Sequence, residues 1–254
     1  MPNLFSIKNK RILITGSSGG LGLAFARGLG DAGAIIILNG RDKKKLKEAQ
    51  GTLERRKIKV HLLPFDVTKP REVRNAVSLA EKKIGPIDVL INNAGINLRG
   101  PLESISDKTW KQVIDINLSG VFYTAREVAA GMIKRRAGKI INISSLMSEA
   151  ARPSTGPYTA SKGGVKLLTK AMAAEWGKHN IQINAVGPGY FLTEMTAKLA
   201  QDKVFDEWVK KRTPASRWGK PEELIGALIF LSSSASDFVS GQTIHVDGGF
   251  LAQL

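Results

Sequence analysis

The sequence predicts a doubly wound α/β fold, an open parallel sheet of seven strands with helices on both faces. Three observations lead there. The short apolar runs are continuous rather than alternating, which means burial on both faces of the sheet and helices on both sides of it. These runs alternate along the chain with stretches of helical periodicity. The length, 254 residues, suits one large domain, 1–254, with a single substantial core, and no linker, repeat or low-complexity stretch divides it.

Arg11 to Thr15 (RILIT) is the first strand, and the glycine cluster after it makes a tight turn. The segment LGLAFARGLGDAG then has apolar residues at helical spacing and ends in Gly30 and Gly33. Ala34 to Leu38 is the second strand, followed by a polar helix over 42–57. Val60 to Leu63, Val89 to Ile91, Lys139 to Ile143 and Ile181 to Val186 supply four more strands, with helices near 70–83, 107–135 and 158–178 between them. Thr243 to Val246, after a helical 221–231, is the seventh. The segment 193–214, around Phe205 and Trp208, breaks the alternation and predicts an insertion of two short helices. In a doubly wound sheet it lies over the carboxyl ends of the strands, where ligands bind, so it is a candidate lid.

Composition excludes several chemistries. With no cysteine there are no disulfides, thiolate zinc sites, iron–sulfur clusters or Cys nucleophile, and His61, His179 and His245 are the only imidazoles. No metal site is expected; His179 and His245 read as structural and His61 as exposed. No signal peptide or membrane span is legible, so the expected location is the cytoplasm. The formal charge of +16 is unevenly placed: residues 1–60 carry thirteen basic side chains against four acidic ones. A nucleic-acid surface, a site for a phosphate or acidic substrate, and a solvated helix face compete to explain the cluster from Arg41 to Lys59. The solvated face is the default, since aromatic interleaving and a helix-turn-helix pattern are missing.

Three constellations carry chemistry. Thr15-Gly16-Ser17-Ser18-Gly19-Gly20-Leu21-Gly22 lies between a strand and a helix, where glycines let the backbone approach a pyrophosphate lodged at the helix N-terminus. At the end of the second strand stands Arg41, with Lys45 one helical turn on. A basic residue there accommodates the 2′-phosphate of NADP, where an acidic one would bind the ribose of NAD, so NADP(H) is expected over NAD(H). Tyr158 and Lys162 are spaced i and i+4 and share a helix face. A cation beside a phenol favours the phenolate, and a Tyr so tuned can exchange a proton with an alcohol or ketone.

Taken together, Thr15 to Gly22 as TGxxxGxG, Asn92 to Gly95 as NNAG, Tyr158 and Lys162 as YxxxK and Pro188 to Thr193 as PGxxxT resemble, in order and spacing, the short-chain dehydrogenase/reductase family and its Rossmann-like fold. The resemblance spans essentially the whole chain. It implies a catalytic tetrad of Asn117, Ser145, Tyr158 and Lys162. Tyr158 would exchange the substrate proton while hydride passes to or from the nicotinamide. Lys162 would hold the nicotinamide ribose and depress the Tyr pKa, Ser145 would polarise the carbonyl, and Asn117 would fix a water linking Lys162 to solvent. It implies cofactor contacts from Gly16, Ser18, Gly20, Leu21, Gly22, Arg41, Asp66, Val67, Asn93, Ala94, Gly95, Tyr158, Lys162, Pro188, Gly189, Phe191 and Thr193.

The second half is similar to the gluconate 5-dehydrogenase branch of that family. The chain departs from the branch in having Asn97-Leu98-Arg99 in place of two adjacent arginines, Ser144 where Cys is frequent, and no basic residue in the glycine loop. A sugar-acid substrate needs a cation for its carboxylate. Arg99 and Arg152 are the candidates, with Ser145, Ser148, Glu149 and Tyr158 for hydroxyls. The resemblance also implies a homotetramer with VDGGFLAQL at a subunit contact, and neither a nucleic-acid nor a membrane partner. Two rivals stay open: a 3-oxoacyl-[acyl-carrier-protein] or other ketone reductase of the same family, and a non-catalytic nucleotide- or nucleic-acid-binding module.

Overall fold

A computed structural model describes residues 3–194 and 196–253. The strands are β1 (Arg11–Ile14), β2 (Ile35–Leu38), β3 (Val60–Leu62), β4 (Val89–Asn92), β5 (Gly138–Ile143), β6 (Ile181–Pro188) and β7 (Thr243–Val246). All pairings are parallel, in the order β3-β2-β1-β4-β5-β6-β7. The helices are α1 (Gly20–Asp31), α2 (Lys43–Glu54), α3 (Pro70–Lys83), α4 (Asp107–Ile114), α5 (Gly120–Arg135), α6 (Gly156–Trp176), α7 (Ala197–Gln201), α8 (Lys203–Arg212) and α9 (Ile225–Ser232). No helix among the described residues is long and apolar enough to cross a membrane.

The continuous strand runs have the cause expected of them. In β1 and β2, Ile12, Ile14, Ile36 and Leu38 face one layer, formed by Phe25 and Leu29 of α1, Leu46 and Leu53 of α2 and Leu228 of α9. Leu13 and Ile37 face the opposite layer, with Val73 and Val77 of α3, Val128 and Met132 of α5 and Met172 of α6. Each such side chain, fully buried, contributes about 1.5–3 kcal/mol. The strand order reverses at β1, whose neighbours are β2 and β4, and this switch point opens a crevice at their carboxyl ends.

Three helical expectations need correction or refinement. The single helix expected over 107–135 is interrupted by a π-helical turn, Asp115–Ser119, between α4 and α5. The widened turn rotates Asn117 fully into the interior, where its side chain bonds to Ile96 and to Ser161 on α6. The helix expected from Pro221 begins as a 3-10 turn, Pro221–Leu224, because the Glu223 carboxylate turns back to Arg217 and to the Lys220 backbone N–H. The insertion over 193–214 does contain two short helices, α7 and α8. Of the imidazoles, His61 is exposed and His245 lies 3.7 Å from Glu149.

Candidate active site

The loop after β1 is built by side chains that nothing in the glycine pattern announces. The Thr15 hydroxyl accepts from the backbone N–H groups of Asn93 and Ala94, and the Asn93 side chain donates to the carbonyls of Thr15 and Gly16. Asn39, at the end of β2, accepts from the Gly16 N–H and donates to the carbonyls of Leu63 and Phe65. Three strand ends are thereby tied to one turn. Gly22 is required by contact: a Cβ there would lie 2.4 Å from the Gly16 carbonyl oxygen and 2.6 Å from the Asn93 amide.

Gly19 has the opposite character. Its φ of −172° is extended backbone open to any residue, and a Cβ placed on it would meet nothing within 4 Å. Neither conformation nor packing within the chain asks for glycine at the mouth of α1, so the bare backbone faces a cradle that a Cβ would fill. This fits a pyrophosphate lying against the first N–H groups of the helix.

The cradle is one end of a cavity of about 640 Å³. Every residue expected at the cofactor lines it: Gly16, Ser18, Gly20, Leu21, Gly22, Arg41, Asp66, Val67, Asn93, Ala94, Gly95, Tyr158, Lys162, Pro188, Gly189, Phe191 and Thr193. Ser18, Arg41 and Lys45 gather beyond the cradle, with the Arg41 guanidinium 3.8 Å from Asp66 and well exposed. Asp66 in turn holds the backbone N–H and hydroxyl of Thr68. At the other end stand Ser145, Tyr158 and Lys162.

Ser145 follows β5 and its hydroxyl accepts from the Met147 N–H, capping the 3-10 turn Leu146–Ser148. Tyr158 and Lys162 share one face of α6, with Lys162 Nζ 5.5 Å from the Tyr158 ring centroid. Lys162 donates to the Ile143 carbonyl at 2.6 Å. Burial lowers its pKa to about 8, while burial raises that of Tyr158, an effect opposed by a hydrogen bond with Ser145 and reinforced by Tyr190. The sequence-based expectation is that Lys162 depresses the Tyr158 pKa; in the chain by itself burial raises it. Burial is the largest influence on the phenol, and the ammonium is itself buried and gives one of its donors to the Ile143 carbonyl.

Of the candidate substrate groups, Ser145 and Tyr158 line the cavity and Arg99, Ser148, Glu149 and Arg152 do not. Arg99 is exposed. Glu149 is held by Lys166 at 2.5 Å and is 3.4 Å from the Ser148 hydroxyl. Arg152 lies over the Phe205 ring, 4.2 Å from its centroid. Asn117 lies behind the cavity wall rather than on it. The sequence reading missed Asn39 and Tyr190. Asn39 sits at the carboxyl end of a strand, which was the available signal. Tyr190 directly follows Pro188 and Gly189 and sits among Phe205, Trp208, Trp218 and Phe250, with centroids 5.4–5.8 Å from its own.

The family described as enoyl-(acyl carrier protein) reductase matches residues 16–251. The chain is 51% identical over 253 residues to gluconate 5-dehydrogenase of Gluconobacter oxydans (strain 621H), covering 100% of this chain and 99% of that one. The chain belongs to the short-chain dehydrogenase/reductase family. This short-chain dehydrogenase/reductase is 50% identical to 5-keto-D-gluconate 5-reductase of Escherichia coli (strain K12), over 99% of both chains. Its fold matches the crystal structure of a gluconate 5-dehydrogenase from Burkholderia cenocepacia J2315 in complex with NADP and tartrate, with a TM-score of 0.97, 46% identity and 99% of each chain covered. It is an oxidoreductase of a family that binds a nicotinamide cofactor and acts on CH–OH groups.

Proposed function

We propose that the protein is a cytoplasmic NADP(H)-dependent oxidoreductase that interconverts the C5 hydroxyl and ketone of a six-carbon sugar acid, as between gluconate and 5-ketogluconate. The observation that carries this reading is a single cavity with basic side chains, Arg41 and Lys45, at its nucleotide end and a Ser–Tyr–Lys constellation at its other. Full-length identity to relatives named for that reaction supports it. A relative named 2-dehydro-3-deoxy-D-gluconate 5-dehydrogenase, from Formosa agariphila, is 50% identical over 254 residues, so that acid belongs among the candidate substrates.

Backbone N–H groups at the start of α1 would hold the pyrophosphate, Arg41 with Lys45 the 2′-phosphate, Asp66 and Val67 the adenine side, and Pro188, Gly189, Phe191 and Thr193 the nicotinamide side. The chemistry a nicotinamide held there would supply is hydride transfer to or from the carbon bearing the substrate oxygen. The remaining work falls to the chain. Tyr158, kept protonated by its burial, donates the proton to the ketone oxygen. Ser145 hydrogen-bonds to that oxygen and orients it, and Lys162 presents its ammonium to the nicotinamide ribose. Asn117 acts as a positioning residue: its amide ties Ile96 to Ser161 on α6, holding the cavity floor against the helix that carries Tyr158 and Lys162. We read residues 1–254 as one catalytic domain with 193–214 as its lid.

A homotetramer is the assembly we infer. Phe122 on α5 and Leu167 on α6 are exposed beside a shallow groove lined by Leu118, Tyr123 and Leu168, and Phe238 is fully exposed. Sedimentation of the purified chain is expected to give four protomers; a monomer refutes the assembly.

The test of the function is a substrate panel with both cofactors. NADPH oxidation is expected with 5-ketogluconate or 2-dehydro-3-deoxygluconate-derived ketones and not with acetoacetyl thioesters. The family description supports an acyl-carrier substrate as the second reading, and turnover of the thioester alone would establish it instead. In the same assay Arg41→Ala is expected to raise KM for NADP about tenfold or more, the size of one charge-assisted phosphate contact, and to leave KM for NAD nearly unchanged. Equal effects on both cofactors would remove Arg41 from the phosphate site.

A further inference from the structure

We propose that Arg152 is the anchor for the substrate carboxylate and that α8 holds it in place, so that binding an anionic substrate and closing the segment 193–214 are one event. This deepens the sugar-acid reading above and rests on it.

Arg152 lies in the loop between Ser145 and Tyr158, two residues that line the cavity. The loop is pinned where α6 begins, by Thr155 donating from its N–H and its hydroxyl to the Arg152 carbonyl. The guanidinium carbon lies over the rings of α8, 4.2 Å from the Phe205 centroid and 5.4 Å from that of Trp208, and those two rings are themselves stacked at 5.4 Å. A guanidinium engaged through its face keeps its N–H groups at the edge, in the fork that meets a carboxylate with two parallel hydrogen bonds. Among the described residues, no acid pairs with it.

The neighbouring carboxylates are occupied in ways that leave the fork available. Glu149, three residues before it, is held by Lys166. Asp206, next to Phe205, is held by Lys210 and by the Trp218 indole N–H. In the same aromatic cluster, Tyr190 lies 5.7 Å from Phe205 and 5.8 Å from Trp208, and in sequence it stands between Gly189 and Phe191, which line the cavity. The rings of α8 are thus in contact both with the Arg152 guanidinium and with Tyr190, whose two chain neighbours line the cavity. Arg99, the rival cation, is exposed and lies over no ring among the described residues.

Coupling follows from reciprocity. If the stack on Phe205 and Trp208 favours the closed segment and also orients the fork, then whatever binds the fork favours closure by the same factor. The charge alone does not suffice, because lysine keeps the charge but lacks both the planar stack and the paired donors.

The experiment is steady-state kinetics on full-length Arg152→Gln, Arg152→Lys and Phe205→Leu with 5-ketogluconate, together with hydrogen exchange across 203–212 in the NADP-loaded protein with and without tartrate. Arg152→Gln is expected to raise KM for the acid at least tenfold while kcat falls less than threefold, with Arg152→Lys between it and wild type. Phe205→Leu, which removes no charge, is expected to raise the same KM three- to tenfold. Tartrate is expected to slow exchange in 203–212 of the wild type and not of Arg152→Gln. An unchanged KM in Phe205→Leu, or tartrate slowing exchange equally in both proteins, overturns the coupling; equal losses on acidic and neutral ketones in Arg152→Gln overturn the anchor. If wild type fails on 5-ketogluconate, the sugar-acid reading falls by itself, and the anchor is then decided by tartrate calorimetry. Equal tartrate affinity in wild type and Arg152→Gln, or no binding in either, overturns it.

Discussion

Tyr158→Phe is expected to lower kcat by about 10²–10⁴-fold, the range a positioned acid or base contributes, while the affinity for NADP stays within about threefold of wild type. The ring persists, so the packing on α6 and the contact with Lys162 persist; only the proton is lost. Single-turnover reduction measured beside a cofactor titration separates the two effects, and a variant retaining full activity would dismiss Tyr158 as the acid. Its ionisation also sets a direction. Burial raises the Tyr158 pKa above 10.0, so at neutral pH the group is a phenol ready to donate to a ketone. Alcohol oxidation needs the phenolate, so its kcat/KM is expected to climb as pH rises through the alkaline range, while ketone reduction is favoured at neutral pH.

Lys162→Met is expected to abolish turnover and, unusually for a buried substitution, to stabilise the fold. Burial pulls the Lys162 pKa from 10.5 to about 8, so holding the charged form inside costs on the order of 3 kcal/mol at neutral pH. Methionine removes that cost and leaves the Ile143 carbonyl without its donor, a loss of about 1 kcal/mol. The net gain corresponds to a Tm increase of about 5 °C for a chain of this length. The pH dependence carries the sign. The unfolded lysine keeps its proton up to about pH 10.5 and the folded one releases it near 8, so between those values the unfolded state binds more protons. Wild-type stability therefore rises with pH across the window from about 8 to 10.5, and the methionine variant lacks that rise. A Tm lower than wild type at pH 7, or the same rise in both proteins, would show that Lys162 is not a buried charge.

The cavity was legible where chemistry is written in short segments. The glycine loop, the Asn93 turn and the residues after β6 each lie within a few positions of a strand end, a parallel sheet delivers all strand ends to one edge, and the i,i+4 pair is written within one turn of α6. What escaped was what depends on distant partners. Asn39 matters because it reaches Gly16, Leu63 and Phe65, which lie 23, 24 and 26 positions away. The π turn at Asn117 answers bonds to Ile96 and Ser161 that no periodicity over 107–135 contains. Glu149 and Arg152 read alike as candidate substrate ligands, yet one is paired with Lys166 and the other lies over the Phe205 ring.

The sequence by itself determined the doubly wound sheet, the order of its strands and helices within a few residues, and the family, because those rest on local periodicity and on motifs whose spacing is preserved along the chain. Tertiary structure alone decided which charges are spent and which are free, and the direction in which the pKa values of Tyr158 and Lys162 move. Those depend on burial and on neighbours far apart in sequence, and burial raises the Tyr158 pKa where adjacency on one helix face suggested a depression.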